Sequence, residues 1–101
     1  MAHIAKFVLL PIKPERKAEF MTLLEANRTH TQSEKGALVW TLHDVADAPG
    51  SVAMYEVYED EAASAEHDAS PALAPILEQL GDFLAGEPTI VAMTVDRYLR
   101  D

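Results

Sequence analysis

The stretch Val52-Ala53-Met54-Tyr55-Glu56-Val57-Tyr58 decides the fold. Its β-branched and aromatic residues make it a strand. Alternation puts Met54, Glu56 and Tyr58 on one side and Ala53, Tyr55 and Val57 on the other. Glu56 apart, both sides are apolar, so each needs a cover. Just upstream, Ala37 to Asp44 alternates Leu38, Trp40 and Leu42 against Ala37, Val39 and Thr41. Val45 to Ser51, between the two, holds the turn signal Asp47-Ala48-Pro49-Gly50, so the two strands form a hairpin.

Further upstream, Ile4 to Ile12 is a strand with Ile4, Val8, Leu10 and Ile12 on one face and Ala5, Phe7 and Leu9 on the other. Lys13-Pro14-Glu15 starts a helix, because proline's missing N–H costs nothing in a first turn and Glu15 meets the positive end of the dipole. Phe20, Leu23, Leu24 and Asn27 recur at i, i+3, i+4 and i+7, a stripe that packs on a sheet and ends in a polar residue. This helix is expected to finish near Glu34, before Gly36. After Tyr58 a short helix is expected from about Asp60 to Asp68. Ser70-Pro71 reads as an N-cap followed by proline at the first position of a second segment, striped by Leu73, Ile76, Leu77, Leu80 and Leu84 and ending around Gly81 to Gly86. Thr89 to Leu99 is a last long strand, with Val91, Met93 and Val95 opposite Ile90 and Ala92. The order βαββαβ predicts one α+β, ferredoxin-like domain over residues 1–101, a four-stranded antiparallel sheet with its helices on one face.

Two helical layers cover only one face of such a sheet, yet the first, third and fourth strands are apolar on both. The alternation of a solvated face is largely missing. A second copy, packed sheet to sheet under two-fold symmetry, is the simplest cover, so a homodimer is expected.

At 101 residues there is room for one hydrophobic core. No run nears the roughly 20 apolar residues of a membrane span, and the first residues enter a strand without a signal-peptide pattern. The expectation is a cytoplasmic protein with no membrane partner. Seventeen acidic residues against eight basic ones give a net charge of −9, the wrong sign for a nucleic-acid partner. The acidic residues concentrate in Glu56 to Glu87, where a solvated helical face is the plain reading. With no cysteine, disulfides, thiolate zinc sites, iron–sulfur clusters and thiol nucleophiles are excluded.

The four histidines, His3, His30, His43 and His67, include no i, i+4 pair, so no metal is expected. Glycine-rich nucleotide loops and the Gly-x-Ser-x-Gly elbow are absent, so no cofactor is expected and any catalysis must use oxygen and nitrogen side chains in a pocket. His67 lies at the end of the short helix, beside the break at Ser70-Pro71, where a pocket between helices and sheet could open; its alternative role is to face the helix's negative end. The other three histidines read as surface residues. Glu56, among strand neighbours that should be buried, must either find a partner such as Arg28 or Arg97 or shift toward the behaviour of a proton acceptor. Tyr58 shares its face, and Asn27 brings an amide to the end of the first helix stripe. Trp40 is by default a core residue whose indole N–H can also hold a substrate oxygen.

Glu34-Lys35-Gly36, Glu56-Val57-Tyr58 and His67, set in Ser33 to Leu38 and Tyr55 to Ala63, resemble the antibiotic biosynthesis monooxygenase (ABM) domain family over nearly the whole chain. The resemblance implies a dimeric α+β barrel. It also implies one of several activities: cofactor-independent oxidation of phenolic or quinol substrates by dioxygen, heme degradation, or isomerisation of a phosphorylated quorum-sensing signal. The Leu73 to Leu80 stripe stands where the heme degraders carry a histidine, and His67 where they carry a tryptophan, so heme is disfavoured. The Glu56-x-Tyr58 form is closer to the quinol-oxidising and isomerase-like members. The expected function is therefore a cofactor-free monooxygenase of a small aromatic or quinol-like substrate. Glu56 or His67 would be the base, with Asn27, Trp40 and Tyr58 positioning the substrate. The alternatives are an isomerase of a small carbonyl compound and a non-catalytic dimeric binding module.

Overall fold

The computed structural model describes residues 2–99. In chain order it contains β1 (Ile4–Pro11), a 3-10 turn (Pro14–Arg16), α1 (Lys17–Thr31), β2 (Ala37–Asp44), β3 (Ser51–Tyr58), α2 (Glu61–Asp68), α3 (Ala74–Phe83) and β4 (Thr89–Thr94). The strands form one antiparallel sheet in the order β2-β3-β1-β4. This is the expected α+β, ferredoxin-like architecture.

Register determines what the helices cover. Lys6 pairs with Glu56, Val8 with Met54 and Leu10 with Val52. The inward face of β1 therefore carries Lys6, Val8 and Leu10 beside Val52, Met54, Glu56 and Tyr58 of β3. Leu10, Ile12, Val52 and Met54 are buried against Phe20 and Leu24 of α1 and Ile76 and Phe83 of α3. Phe20 and Phe83 meet edge to face with centroids 5.3 Å apart. On the opposite face, among the described residues, no helix lies over Phe7, Leu9, Tyr55, Val91 and Met93, and the last three are 38–41% exposed. Among the described residues no helix is long and apolar enough to cross a membrane.

The element boundaries depart from expectation at three places. α1 ends at Thr31, and Glu34 lies in a turn held by Glu34 N–H to Thr31 O (3.0 Å) and Ala37 N–H to Glu34 O (3.1 Å). The turn brings Gly36 under α2, where a Cβ would stand 2.4 Å from that of Ala63, an approach only glycine allows. α3 begins at Ala74 rather than Pro71, because the Ser70 hydroxyl accepts from Leu73 N–H (3.2 Å) and closes a separate turn first. Phe83, outside the expected stripe, is fully buried, while Leu77, inside it, is 55% exposed. β4 stops at Thr94: Val95 N–H still reaches His3 O (2.9 Å), after which the chain leaves the sheet and Tyr98 stacks edge-on against His3.

Candidate functional site

Mid-strand alternation turns Glu56 toward the helices, and α2 lays His67 over it. α2 starts where the Asp60 carboxylate accepts from Ala63 N–H (2.9 Å). Two turns later His67 is buried. Its ring stacks on that of Tyr58, with centroids 4.9 Å apart and a tilt of 37°.

These residues form a buried chain of polar contacts. Tyr58 OH donates to Glu56 Oε1 at 2.5 Å. His67 Nε2 stands 3.5 Å from the same oxygen, and His67 Nδ1 is 2.9 Å from Glu34 Oε1. A carboxylate only accepts, so with Glu34 ionised the shared proton is assigned to Nδ1. Burial, then the negative charge of Glu56, then the hydrogen bond to it, push the Tyr58 phenol far above the ordinary tyrosine range. Tyr58 therefore stays protonated and fixes Glu56 as an acceptor. Among the described residues no arginine pairs with Glu56: Arg28 pairs with Glu25 (2.9 Å) and Arg97 with Asp96 (3.4 Å).

Beside Glu56 and His67 opens a cavity of 280 Å³ between sheet and helices. Its walls are apolar, built from Val8 and Leu10 of β1, Leu24 of α1, Met54 of β3, Leu73, Ile76, Leu77 and Leu80 of the last helical segment, and Ile90 and Ala92 of β4. The polar groups on them are Lys6, Asn27, Glu56, His67 and Asp68. Asn27 Oδ1 is buried without a hydrogen-bond partner. Leaving such an atom unpaired costs about 1–3 kcal/mol, which a donor on a bound molecule would recover. Lys6 donates to Asp68 at 2.7 Å; its side chain is mostly buried, while that of Asp68 is mostly exposed. A pair with one member in water is weakly held, so the ammonium can turn toward an anionic ligand.

Of the five residues singled out from sequence, Glu56, His67 and Asn27 share this cavity wall. Tyr58 is fully buried behind it and reaches the site through Glu56. Trp40 shares the inward face but stands on the edge strand β2, where it lines a separate groove with Arg28, Thr31, Gln32 and Ala37; its indole nitrogen is buried without a partner. Two residues of the cavity wall escaped the reading from sequence, Lys6 and Asp68, and Glu34 entered it only as part of the Glu34-Lys35-Gly36 motif, without a role. Lys6 left a trace, a lysine at an inward position between Ile4 and Val8. Among the described residues no group of three or more metal-ligating side chains is arranged to hold an ion. Chemically, the site offers a carboxylate and an imidazole for proton transfer, a cation for a developing negative charge, and largely apolar walls that open to solvent at Leu77 and Ile90.

The sequence matches the family model described as antibiotic biosynthesis monooxygenase over residues 4–79. No curated protein matches the chain. Among solved structures it is similar to a conserved protein from Methanosarcina mazei Go1, at 26% identity and a TM-score of 0.83, covering 92% of each chain. It is also similar to Rv0793 from Mycobacterium tuberculosis, at 24% identity and a TM-score of 0.87, covering 96% of this chain and 98% of that one. An antibiotic biosynthesis monooxygenase matches at 21% identity and a TM-score of 0.81, covering 93% and 99%. The last two likenesses speak for the fold alone.

Proposed function

The chain belongs to the antibiotic biosynthesis monooxygenase family, and from that premise we propose that it is a cofactor-independent monooxygenase of a small phenolic or quinol substrate. The observation that carries this reading is the apolar cavity of 280 Å³ with Glu56, His67 and Lys6 on its wall. An electron-rich ring fits the apolar part. Its hydroxyl donates to Glu56, Asn27 Oδ1 can accept a second donor, and Lys6 faces the oxyanion left when Glu56 takes the proton. A phenolate so formed passes an electron to dioxygen without a cofactor. Recombination of the radical pair forms a C–O bond, and the ring hydroperoxide loses water to leave a quinone. All four electrons come from the substrate; one oxygen atom ends in the quinone and the other in water.

A second reading, an isomerase of a small carbonyl compound, draws on the 3.5 Å approach of Glu56 and His67, two groups placed to lift a proton from one atom and return it to another. Oxygen decides between them. Under the first reading, oxygen uptake with a panel of phenols and hydroquinones, without added flavin or metal, exceeds buffer autoxidation for at least one substrate. Uptake equal to autoxidation across the panel counts against it, and conversion of a carbonyl substrate under strict anaerobiosis favours the isomerase.

The uncovered sheet face supports a homodimer as the working form. Tyr55, Val91 and Met93 project from it without a helix above them, and a second copy packed sheet to sheet would cover them.

A further inference from the structure

We propose that Asp68 is a positioning residue: it holds the Lys6 ammonium away from Glu56, so that the Glu56 carboxylate stays open to the substrate's hydroxyl. This rests on the reading of Glu56 as the substrate's proton acceptor. Lys6 of β1 and Glu56 of β3 are cross-strand partners on the inward face. Residues directly opposite have Cβ atoms about 4.5–5.5 Å apart, a gap a lysine arm spans easily, and opposite charges placed there attract. Yet among the described residues the ion pair of Lys6 is with Asp68, not with Glu56. The ammonium lies 2.7 Å from Asp68 Oδ1 and 5.5 Å from the centroid of the Tyr58 ring. Asp68 is the last residue of α2, where the unpaired carbonyls of the helix end add to the pull on a cation.

Without Asp68, the ammonium would turn to Glu56. That carboxylate takes one hydrogen bond, from Tyr58 OH, and has His67 Nε2 at 3.5 Å, which leaves acceptor positions on its two oxygens unused. Its side chain is 8% exposed against 57% for Asp68, so water screens its charge far less. A Lys6–Glu56 pair would fill the positions that a substrate hydroxyl needs. It would also stabilise the ionised carboxylate against taking up the substrate's proton. Asp68 prevents this from the rim of the cavity. Because one member of the Lys6–Asp68 pair stands in water, the pair is weak enough to release the ammonium once a phenolate oxygen has formed. Asp68 therefore acts through Lys6 and needs no contact with the substrate.

The test compares the wild type with Asp68→Ala, Lys6→Met and the double variant. A crystal structure of substrate-free Asp68→Ala should show Lys6 Nζ within about 4 Å of a Glu56 oxygen, the reach of an ion pair. Calorimetric titration with hydroquinone under nitrogen should show affinity lowered about fivefold by Asp68→Ala, the most that an exposed ion pair contributes. Adding Asp68→Ala to Lys6→Met should change nothing further, the non-additivity expected of a residue that acts through another. Lys6 clear of Glu56 in the Asp68→Ala crystal overturns the proposal. So does unchanged affinity in Asp68→Ala, and so does an equal loss with and without Lys6, because Asp68 would then act on the ligand itself. The position of Lys6 is read without substrate or dioxygen, so a failure of oxygen uptake and a failure of the positioning role are separately visible. If hydroquinone binds no form of the protein, the reading of Glu56 suffers and the crystal alone decides the role of Asp68.

Discussion

Tyr58 has no route to a substrate, so its predicted effect lies in what it does to Glu56. Replacing it with phenylalanine removes one oxygen from a fully buried site and leaves Glu56 Oε1 without its donor at 2.5 Å. Hydrogen bonds to charged groups contribute about 1.5–3 kcal/mol, and a domain of this size loses roughly 4–8 °C in Tm per kcal/mol. The variant should therefore unfold on the order of 10 °C lower at neutral pH. The difference should also depend on pH. The folded protein holds the phenol proton more tightly than the unfolded chain, because burial and Glu56 raise its pKa. That stabilisation is complete below the ordinary tyrosine value of about 10 and is lost above it at up to about 1.4 kcal/mol per pH unit. Tyr58→Phe has no such proton, so the gap between the two proteins should narrow above about pH 10. Urea unfolding of both at about pH 8, 10 and 11 measures it. Equal stability at the lowest pH, or a gap of constant size, would refute the Tyr58–Glu56 contact.

Two further perturbations address the frame around the site. Gly36→Ala places a methyl group 2.4 Å from Ala63 Cβ; α2 must move, so the variant should lose about 1–3 kcal/mol and shift the His67 ring resonances, and unchanged thermal unfolding and spectra would show that α2 does not pack on this turn. Met93 tests the uncovered face: the wild type should sediment as a dimer and Met93→Glu as a folded monomer, and equal sedimentation coefficients for the two would mean that this face is not the interface.

The fold was legible because its signals are local and repeated. Period-two alternation located β1, β2 and β3 closely, and the Phe20-Leu23-Leu24-Asn27 stripe located the inward face of α1. The boundaries that shifted are those where a side chain or a tertiary contact overrides propensity. The Ser70 hydroxyl caps a turn before α3 can begin, and the approach of Ala63 to Gly36 needs a turn where continued helix was expected. Of the polar groups on the cavity wall, Glu56 and His67 were the most legible. Glu56 stood out as a charge among apolar strand residues and His67 by its place beside a break. Glu34 read as the end of the first helix, and only the packing of α2 across it gives it a partner 33 positions away. Lys6 was passed over because a strand lysine is ordinarily solvated, and its inward direction follows from pairing with Glu56. Trp40 shares the inward face with Glu56, but its place on the edge strand, beneath the end of α1, puts its ring in a groove of its own, a distinction no one-dimensional pattern carries.

The role of Glu56 is tested most directly by oxygen uptake at saturating hydroquinone in the wild type and in Glu56→Gln, with hydroquinone affinity measured in parallel. The amide of this variant can still accept the Tyr58 hydroxyl and keeps the shape of the cavity wall, but it cannot take a proton. The account predicts a kcat lower by about 10²–10⁴-fold with affinity changed only slightly. Equal rates in the two proteins, or no protein-dependent uptake in either, would contradict it.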